Sequence, residues 1–360
     1  MLTILDKYIL KRYLVTFIGI LLLFIPIGIM ISLAEKIGKI IDNEAPLGET
    51  IEFYANFSLV LGNILMPILL FLSIIFFTAK LASNTEIIAI LSSGISYWRF
   101  LRPYMIGAGI VAVLIFVMGQ FIVPHASIGF NEFEYKYFKK GRQNRQTTNI
   151  FNQLNERDFI YVSSFDPDRQ IGYNFTYEHF DENEQLSYKI GAANIRWIEK
   201  DSIYRLTSYA KRKMKDGFEV VEKKRRLDTL FSFQINDLAP VSYIADTKNL
   251  FELNDFIKDQ RRKGASNINT YVLVKYKRWA LPIAAFILTI IAVAVSSVKR
   301  RGGMGYSLLL GIALGLVYIF FDRIFGTMAE QSGFSPILAV TIPNVIFGVL
   351  GIYLLQKAKR

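Results

Sequence analysis

Hydrophobic positions along the chain gather into six long runs: Tyr13–Ala34, Phe53–Ala79, Met105–Val123, Trp279–Val298, Tyr306–Phe325 and Ile337–Leu355. Each is near the ~20 residues an α-helix needs to cross ~30 Å of hydrocarbon. They fall three and three around a polar middle long enough for a domain of its own. The pattern predicts transmembrane helices 1–3 over residues 1–124, an inserted domain over 125–270, and transmembrane helices 4–6 over 271–360. The first run resembles a signal peptide, with Lys7, Lys11 and Arg12 before it and Ser32-Leu33-Ala34 at its end. It exceeds the ~7–15 apolar residues usual for such peptides, so an uncleaved span is expected.

In the middle the periodicity changes. Segments 158–165, 171–180, 186–198, 202–214 and 226–235 are rich in β-branched and aromatic residues, and turn clusters such as DPD, DENEQ and KDG separate them. Tyr173, Phe175 and Tyr177 alternate with Asn174, Thr176 and Glu178, which predicts one apolar and one polar sheet face. Regular short strands of this kind predict an antiparallel sandwich or jelly roll. Phe159, Tyr161, Phe175, Tyr177, Tyr188 and Trp197 are its apolar lining candidates. For any one of them, plain sandwich core is the commoner use. Leu250, Leu253, Phe256 and Ile257 then recur at helical spacing, predicting a short helix over 249–264. The fold class expected is an α-helical transmembrane bundle of six spans with an inserted all-β, jelly-roll-like domain.

Charge fixes the orientation. The net charge of +12 raises the question of nucleic acid, but its placement answers differently. Lys7, Lys11 and Arg12; Lys80, Arg99 and Arg102; Lys299, Arg300 and Arg301; and Lys357, Lys359 and Arg360 occupy ends that six crossings bring to one side. The other short loops are acidic, with Glu35, Asp42, Glu44, Glu49 and Glu52 outweighing Lys36 and Lys39. Basic loops stay inside, so both termini are expected in the cytoplasm and the middle domain in the periplasm. The run EKKRR at 222–226 reads as a solvated strand edge, and no nucleic-acid site is expected.

Enzymatic chemistry has little to stand on. No GxxxxGK[ST] occurs, and IGKI at 37–40 lacks the upstream glycine and the hydroxyl residue, so a P-loop is missing. His125 and His179 stand apart, and no cysteine is present to complete a metal set. Ser307 lies within an apolar run and outside any GxSxG elbow.

One polar-flanked stretch stands out between the second and third runs: SNTEIIAILSSGIS, 83–96. Ser83 and Glu86 have the spacing of a capping box, and Ile87, Ile90, Leu91 and Ile95 share one helical face. Gly94 suits the helix end. The stripe either rests on lipid or on the chain's own bundle, or it docks in a groove of a soluble partner.

The arrangement resembles the lipopolysaccharide export permeases of the LptF/LptG family. The likeness lies in LDKYILKRYL (5–14), MPILLFLSIIFFTAKLASNTEIIAILSSGIS (66–96), FELNDFIKDQRRKG (251–264), KRWALPIAAFIL (277–288) and FFDRIFG (320–326), with LDKYI and FDRIFG closer to the LptG branch. The resemblance implies a permease subunit of an ABC transporter. It would pair with a paralogous permease as a heterodimer and couple to two copies of a cytoplasmic LptB-like ATPase. ATP and Mg would bind on that partner, and no cofactor on this chain. Lipopolysaccharide would pass to a periplasmic bridge of LptC-like and LptA-like jelly-roll proteins. Glu86 matches the family's acidic coupling-helix position, with Ile87, Ile90, Leu91, Gly94 and Ile95 completing that site. Lys36, Lys39 and Arg278 are the basic candidates for lipid phosphate, while Ser32 stands where relatives often carry a further base. Asp322 and Arg323 sit near the outer end of the fifth span. The rival reading is a membrane-anchored periplasmic scaffold that transports nothing.

Overall fold

The structure is a computed structural model that describes residues 3–138, 148–166, 169–198, 202–215, 218–231, 233, 243–265, 267–298 and 303–358. The chain divides into two compact units, Met1–Phe133 with Val272–Arg360, and Glu134–Tyr271.

Hydrocarbon offers no partner to a backbone amide, so an apolar run this long satisfies itself as a helix. The described helices are α1 (Ile4–Asp42), α2 (Leu47–Ser83), α3 (Glu86–Ser92), α4 (Tyr97–Val117), α5 (Val123–Phe133), α6 (Leu250–Arg262), α7 (Ile268–Ser296), α8 (Gly303–Gln331) and α9 (Pro336–Ala358). Among the described residues, six segments are long and apolar enough to span: α1, α2, Tyr97–Phe138, α7, α8 and α9. They overrun the apolar stretches because caps stop them. Thr3 and Asp6 form a capping box at the start of α1, and the Asn43 side-chain amide donates to the Lys39 carbonyl at 2.8 Å at its end. Between α4 and α5 the chain makes a π-turn at Met118–Ile122. Pro124 accounts for it: proline has no N–H for the carbonyl four residues back, and its ring crowds that carbonyl, so the turn widens.

α2 and α7 form the middle of the bundle, each with 56% of its apolar window buried, against 6% for α1. The apolar surface of α1 is therefore left to lipid or to another chain. α8 approaches α2 through Gly311 and Gly315. A Cβ at Gly315 would stand 2.8 Å from Ile68 Cδ1 and 3.2 Å from Phe71 Cε1. Small residues one turn apart let spans come close enough for dispersion to hold them.

The inserted unit is built on one antiparallel sheet in sequential order: β1 (Thr148–Gln153), β2 (Asp158–Asp166), β3 (Ile171–Phe180), β4 (Leu186–Ile198), β5 (Ile203–Lys215) and β6 (Phe218–Thr229). It is a meander that does not close into a barrel, and the six described strands share one layer. β2–β5 coincide with four predicted strands. The fifth, 226–235, overlaps β6 over 226–229, and residues 232, 234 and 235 of it lie outside the described residues; β6 starts earlier and carries 222–226 along the sheet edge, where charge discourages further pairing. Strand β1 lies before the first predicted segment, 158–165.

One sheet face holds the core, with Ile160, Val162, Phe175, Ile190, Ile195 and Leu206 all nearly or fully buried. The predicted alternation holds for Phe175 and Tyr177 and then breaks. Asn174 takes φ +51°, and the next inward residue is Gly172 rather than Tyr173. Asn tolerates this left-handed geometry better than most residues. Helix α6 forms as expected, with Asn249 and Glu252 in a capping box and Leu253 and Ile257 buried.

Gly315→Leu is expected to destabilise the bundle by ~1–3 kcal/mol through overpacking, read as a lower melting temperature in detergent. Gly348→Ala, whose nearest neighbour is Ile287 Cδ1 at 3.9 Å, should leave it unchanged. Equal melting temperatures for both would refute the close α2–α8 approach.

Candidate functional site

Two left-handed residues bracket α3: Thr85 at φ +62° and Gly94 at φ +85°. The expected capping box does not form. α2 continues through Ser83, and Thr85 precedes α3 without a side-chain cap. Glu86 Oε1 instead accepts from Asn84 Nδ2 at 3.1 Å. At the other end the Gly94 amide donates to the Leu91 carbonyl at 3.1 Å, in a conformation that costs glycine no steric strain.

α3 has only seven residues, too few to persist alone. Its stripe holds it in place. Ile87 is 2% exposed, and Ile90 and Leu91 are partly buried against the same core; Ile95 is half-buried. Ile87, Ile90 and Leu91 face the chain's own bundle. The outward face presents Ile88, 52% exposed, with Ala89 and Ser92 beside it and Glu86 half-buried. Trp98 in the first turn of α4 is also exposed. In the sequence Ile88 is masked by Ile87, which completes the helical stripe. The adjacent isoleucines were the available signal, since one helix face accommodates only one of them.

The basic candidates lie on two helices, Lys36 and Lys39 on α1 and Arg278 on α7. Lys36 Nζ sits 5.6 Å from the centre of the Phe53 ring. Lys39 is exposed one turn further on, and Ser32 is buried one turn earlier. Arg278 on α7 is 8% exposed. Asp322 is half-buried, while Arg323 is exposed beside a shallow hollow with Phe320 and Thr327.

Of the six aromatic candidates, Tyr188 and Trp197 are partly buried against the sheet's core, and the other four divide between the two faces. Phe175 and Tyr177 belong to the core face, where Phe231 and Phe233 cover Phe175 at centroid distances of 5.6 and 6.4 Å. The Tyr204 hydroxyl donates to the Phe233 carbonyl at 2.6 Å and pins that cover. Register decides the division: Ile160 stands opposite Tyr177, so Phe159 and Tyr161 point the other way. There they line a cavity of about 900 Å³ with Phe151 and Phe180. Its wall carries Glu156, Glu178, Asp181, Glu182 and Glu184 against Arg157 and Lys189, a balance that repels anions. Near it, burial pushes the Asp158 carboxyl up, but hydrogen bonds from His179, Asn155 and Tyr177 outweigh that and hold it below its usual range. Asp158 Oδ1 and His179 Nδ1 are 2.6 Å apart.

Two lengths of apolar bundle flanking a β-insert, with a bracketed helix after the second span, is an arrangement with known parallels. The family profile of the lipopolysaccharide export system permease LptF/LptG matches residues 7–357. The chain belongs to the LptF/LptG permease family. The lipopolysaccharide export system permease protein LptG of Escherichia coli K12 is 19% identical over 361 residues, covering 98% of each chain. The protein of the same name from E. coli O6:H1 strain CFT073 matches to the same extent. The likeness therefore runs through all six spans and the inserted sheet. As an LptF/LptG-family permease, the chain is a multi-pass membrane protein and a transport subunit.

In this permease, Ile87→Asp is expected to cost several kcal/mol, because it buries a charge with no partner. Ile88→Asp should change stability by less than ~0.5 kcal/mol. Detergent melting curves check this, and a destabilised Ile88→Asp with an unaffected Ile87→Asp would invert the assignment of the two faces.

Proposed function

We propose that this permease draws lipopolysaccharide from the inner membrane and passes it to a periplasmic bridge of β-structured proteins, powered by a separate cytoplasmic ABC ATPase. The family profile spanning residues 7–357 supports this reading most strongly. On it, both termini and α3 are cytoplasmic, in keeping with Lys80, Arg99 and Arg102 at the α3 end, and the sheet is periplasmic. A paralogous permease completes a heterodimer, and the sparsely buried α1 offers it apolar surface. Two ATPase copies hold ATP and Mg, and LptC-like and LptA-like proteins continue the path.

An external motor is a physical necessity for such a substrate. Each CH₂ leaving lipid for water costs ~0.8 kcal/mol, so a ~14-carbon acyl chain costs ~11 kcal/mol. Force enters at α3. Glu86 and Ile88 meet a groove on the ATPase, while Ile87, Ile90, Leu91 and Ile95 carry the push into the bundle and Gly94 sets the exit of the helix. Lys36, Lys39 and Arg278 take lipid phosphates. Of the aromatic candidates, the core-facing Phe175 and Tyr177 suit acyl chains, once Phe231 and Phe233 give way. The acidic surroundings of Phe159 and Tyr161 suit an anionic lipid poorly.

Glu86→Lys and Ile88→Asp are expected to lose an ATPase that co-purifies with the wild-type permease in mild detergent. Photocrosslinkers at Phe175 should capture lipopolysaccharide only when ATP is hydrolysed, and at Tyr161 they should capture little. Retention of the ATPase by both variants removes the docking assignment. ATP-independent capture at position 175 removes the driven path.

A further inference from the structure

The first turn of α4 is the junction between α3 and the rest of the bundle, and its side chains reach in two directions. The Tyr97 hydroxyl lies 2.8 Å from Ser297 Oγ, just past the end of α7. Arg99 Nη2 donates to Asp6 Oδ2 at 2.7 Å and to Thr3 Oγ1 at 3.3 Å, at the start of α1. Asp6 is 2% exposed and also accepts from the Thr3 amide at 2.8 Å.

Helix chemistry does not account for Arg99. It is the third residue of α4 after its cap Ser96, where the helix dipole favours an acid and disfavours a cation. Asp6 occupies the same third position of α1, where the dipole favours it. The arginine is therefore placed for α1, at a cost to α4. Further along, the two helices meet again: the Tyr13 hydroxyl donates to the Tyr104 carbonyl at 3.1 Å, and the Tyr13 and Tyr104 rings stack at 5.3 Å. Beyond Phe17 the apolar window of α1 is almost unburied, so these rungs are its main hold on α4.

The route from α3 is short. Ser93–Ser96 joins it to α4, Gly94 is fixed at φ +85°, and Ser96 Oγ accepts from the Arg99 amide at 3.3 Å. A shift of α3 must turn the residue that holds Asp6. We infer that the Asp6–Arg99 ion pair is a strut that carries the displacement of α3 into α1, which makes both residues positioning residues of the transport cycle. The inference rests on α3 being the point where the ATPase docks. It assigns α1 the output role: Asp6 and Lys36 stand ~45 Å apart along one helix, so movement at the α3 end reaches the proposed phosphate contacts.

The chain has no cysteine, which makes the strut open to chemical replacement. The test uses the assembled transporter in proteoliposomes, with its ATPase and paralogous permease unmodified. It compares wild type, Asp6→Ala, Arg99→Ala and the double variant Asp6→Cys/Arg99→Cys. The readouts are co-purifying ATPase and lipopolysaccharide released to an acceptor per ATP hydrolysed. The alanine variants should keep the ATPase and its hydrolysis, while release per ATP falls about five-fold or more. The double-cysteine variant should fall equally, recover when a short reducible bis-thiosulfonate joins the two positions, and fall again on reduction. A merely stabilising contact would alter yield and melting temperature without this reversible change in the ratio. An unchanged ratio in the alanine variants, or a crosslinked transporter no better than the uncrosslinked one, overturns the strut. A wild-type complex that purifies without any ATPase overturns the docking reading, and the strut with it.

Discussion

Ile87 holds α3 to the bundle, and the behaviour of the whole α3 loop follows from that contact. Seven residues cannot sustain a helix by hydrogen bonding alone, because nucleation costs more than so few bonds return. Burial of Ile87, with Ile90 and Leu91 partly covered, supplies what is missing. The left-handed residues Thr85 and Gly94 then close the loop tightly at both ends. A helix fixed in this way has little freedom to move independently of α2 and α4. On the docking proposal, its large exposed apolar side chain, Ile88, is the handle for the ATPase.

The same economy is visible in the inserted sheet. An acyl chain needs an apolar channel, and phosphates need cations or water. The two sheet faces differ sharply in what they offer: one has Phe175 under a cover of Phe231 and Phe233, the other an open cavity ringed by carboxylates. On the function proposed above, a lipid that is both greasy and anionic would suit the first face once the cover lifts and would suit the carboxylate-ringed second face poorly. The cover is held by ring contacts and one hydrogen bond from Tyr204, interactions weak enough to exchange for lipid contacts.

Much of this was legible in the sequence, and the misses have identifiable causes. The six apolar runs specify six helices because a continuous apolar run of about 20 residues satisfies its own backbone in hydrocarbon only as a helix. Ser83 and Glu86 have the right spacing for a capping box, yet α2 continues through Ser83 and leaves it no cap to make. Spacing rules see local chemistry and cannot see that a preceding helix is still running. Phe159 and Tyr161 carry the same aromatic, strand-like signal as Phe175 and Tyr177, so the sequence places them together. Which parity of one strand matches which of the next depends on register, and a single strand does not contain that information. Asn174 adds a second obstacle, since a left-handed residue flips the alternation without changing the apolar pattern. Strand β1, TNIFNQ, is too polar to signal itself and forms as an edge partner of β2. For the proposed docking site, residue spacing marks the stretch around Glu86 and Gly94, while the choice of Ile88 over Ile87 as the outward isoleucine follows from packing against the bundle.

A photoreactive residue placed in turn at positions 87 and 88 of the assembled transporter tests the central claim most directly. Position 88 should crosslink to the nucleotide-hydrolysing subunit, and position 87 should crosslink only within this chain. If position 88 instead labels only lipid or solvent additives while the ATPase is present in the complex, α3 is not where the force enters, and the account fails.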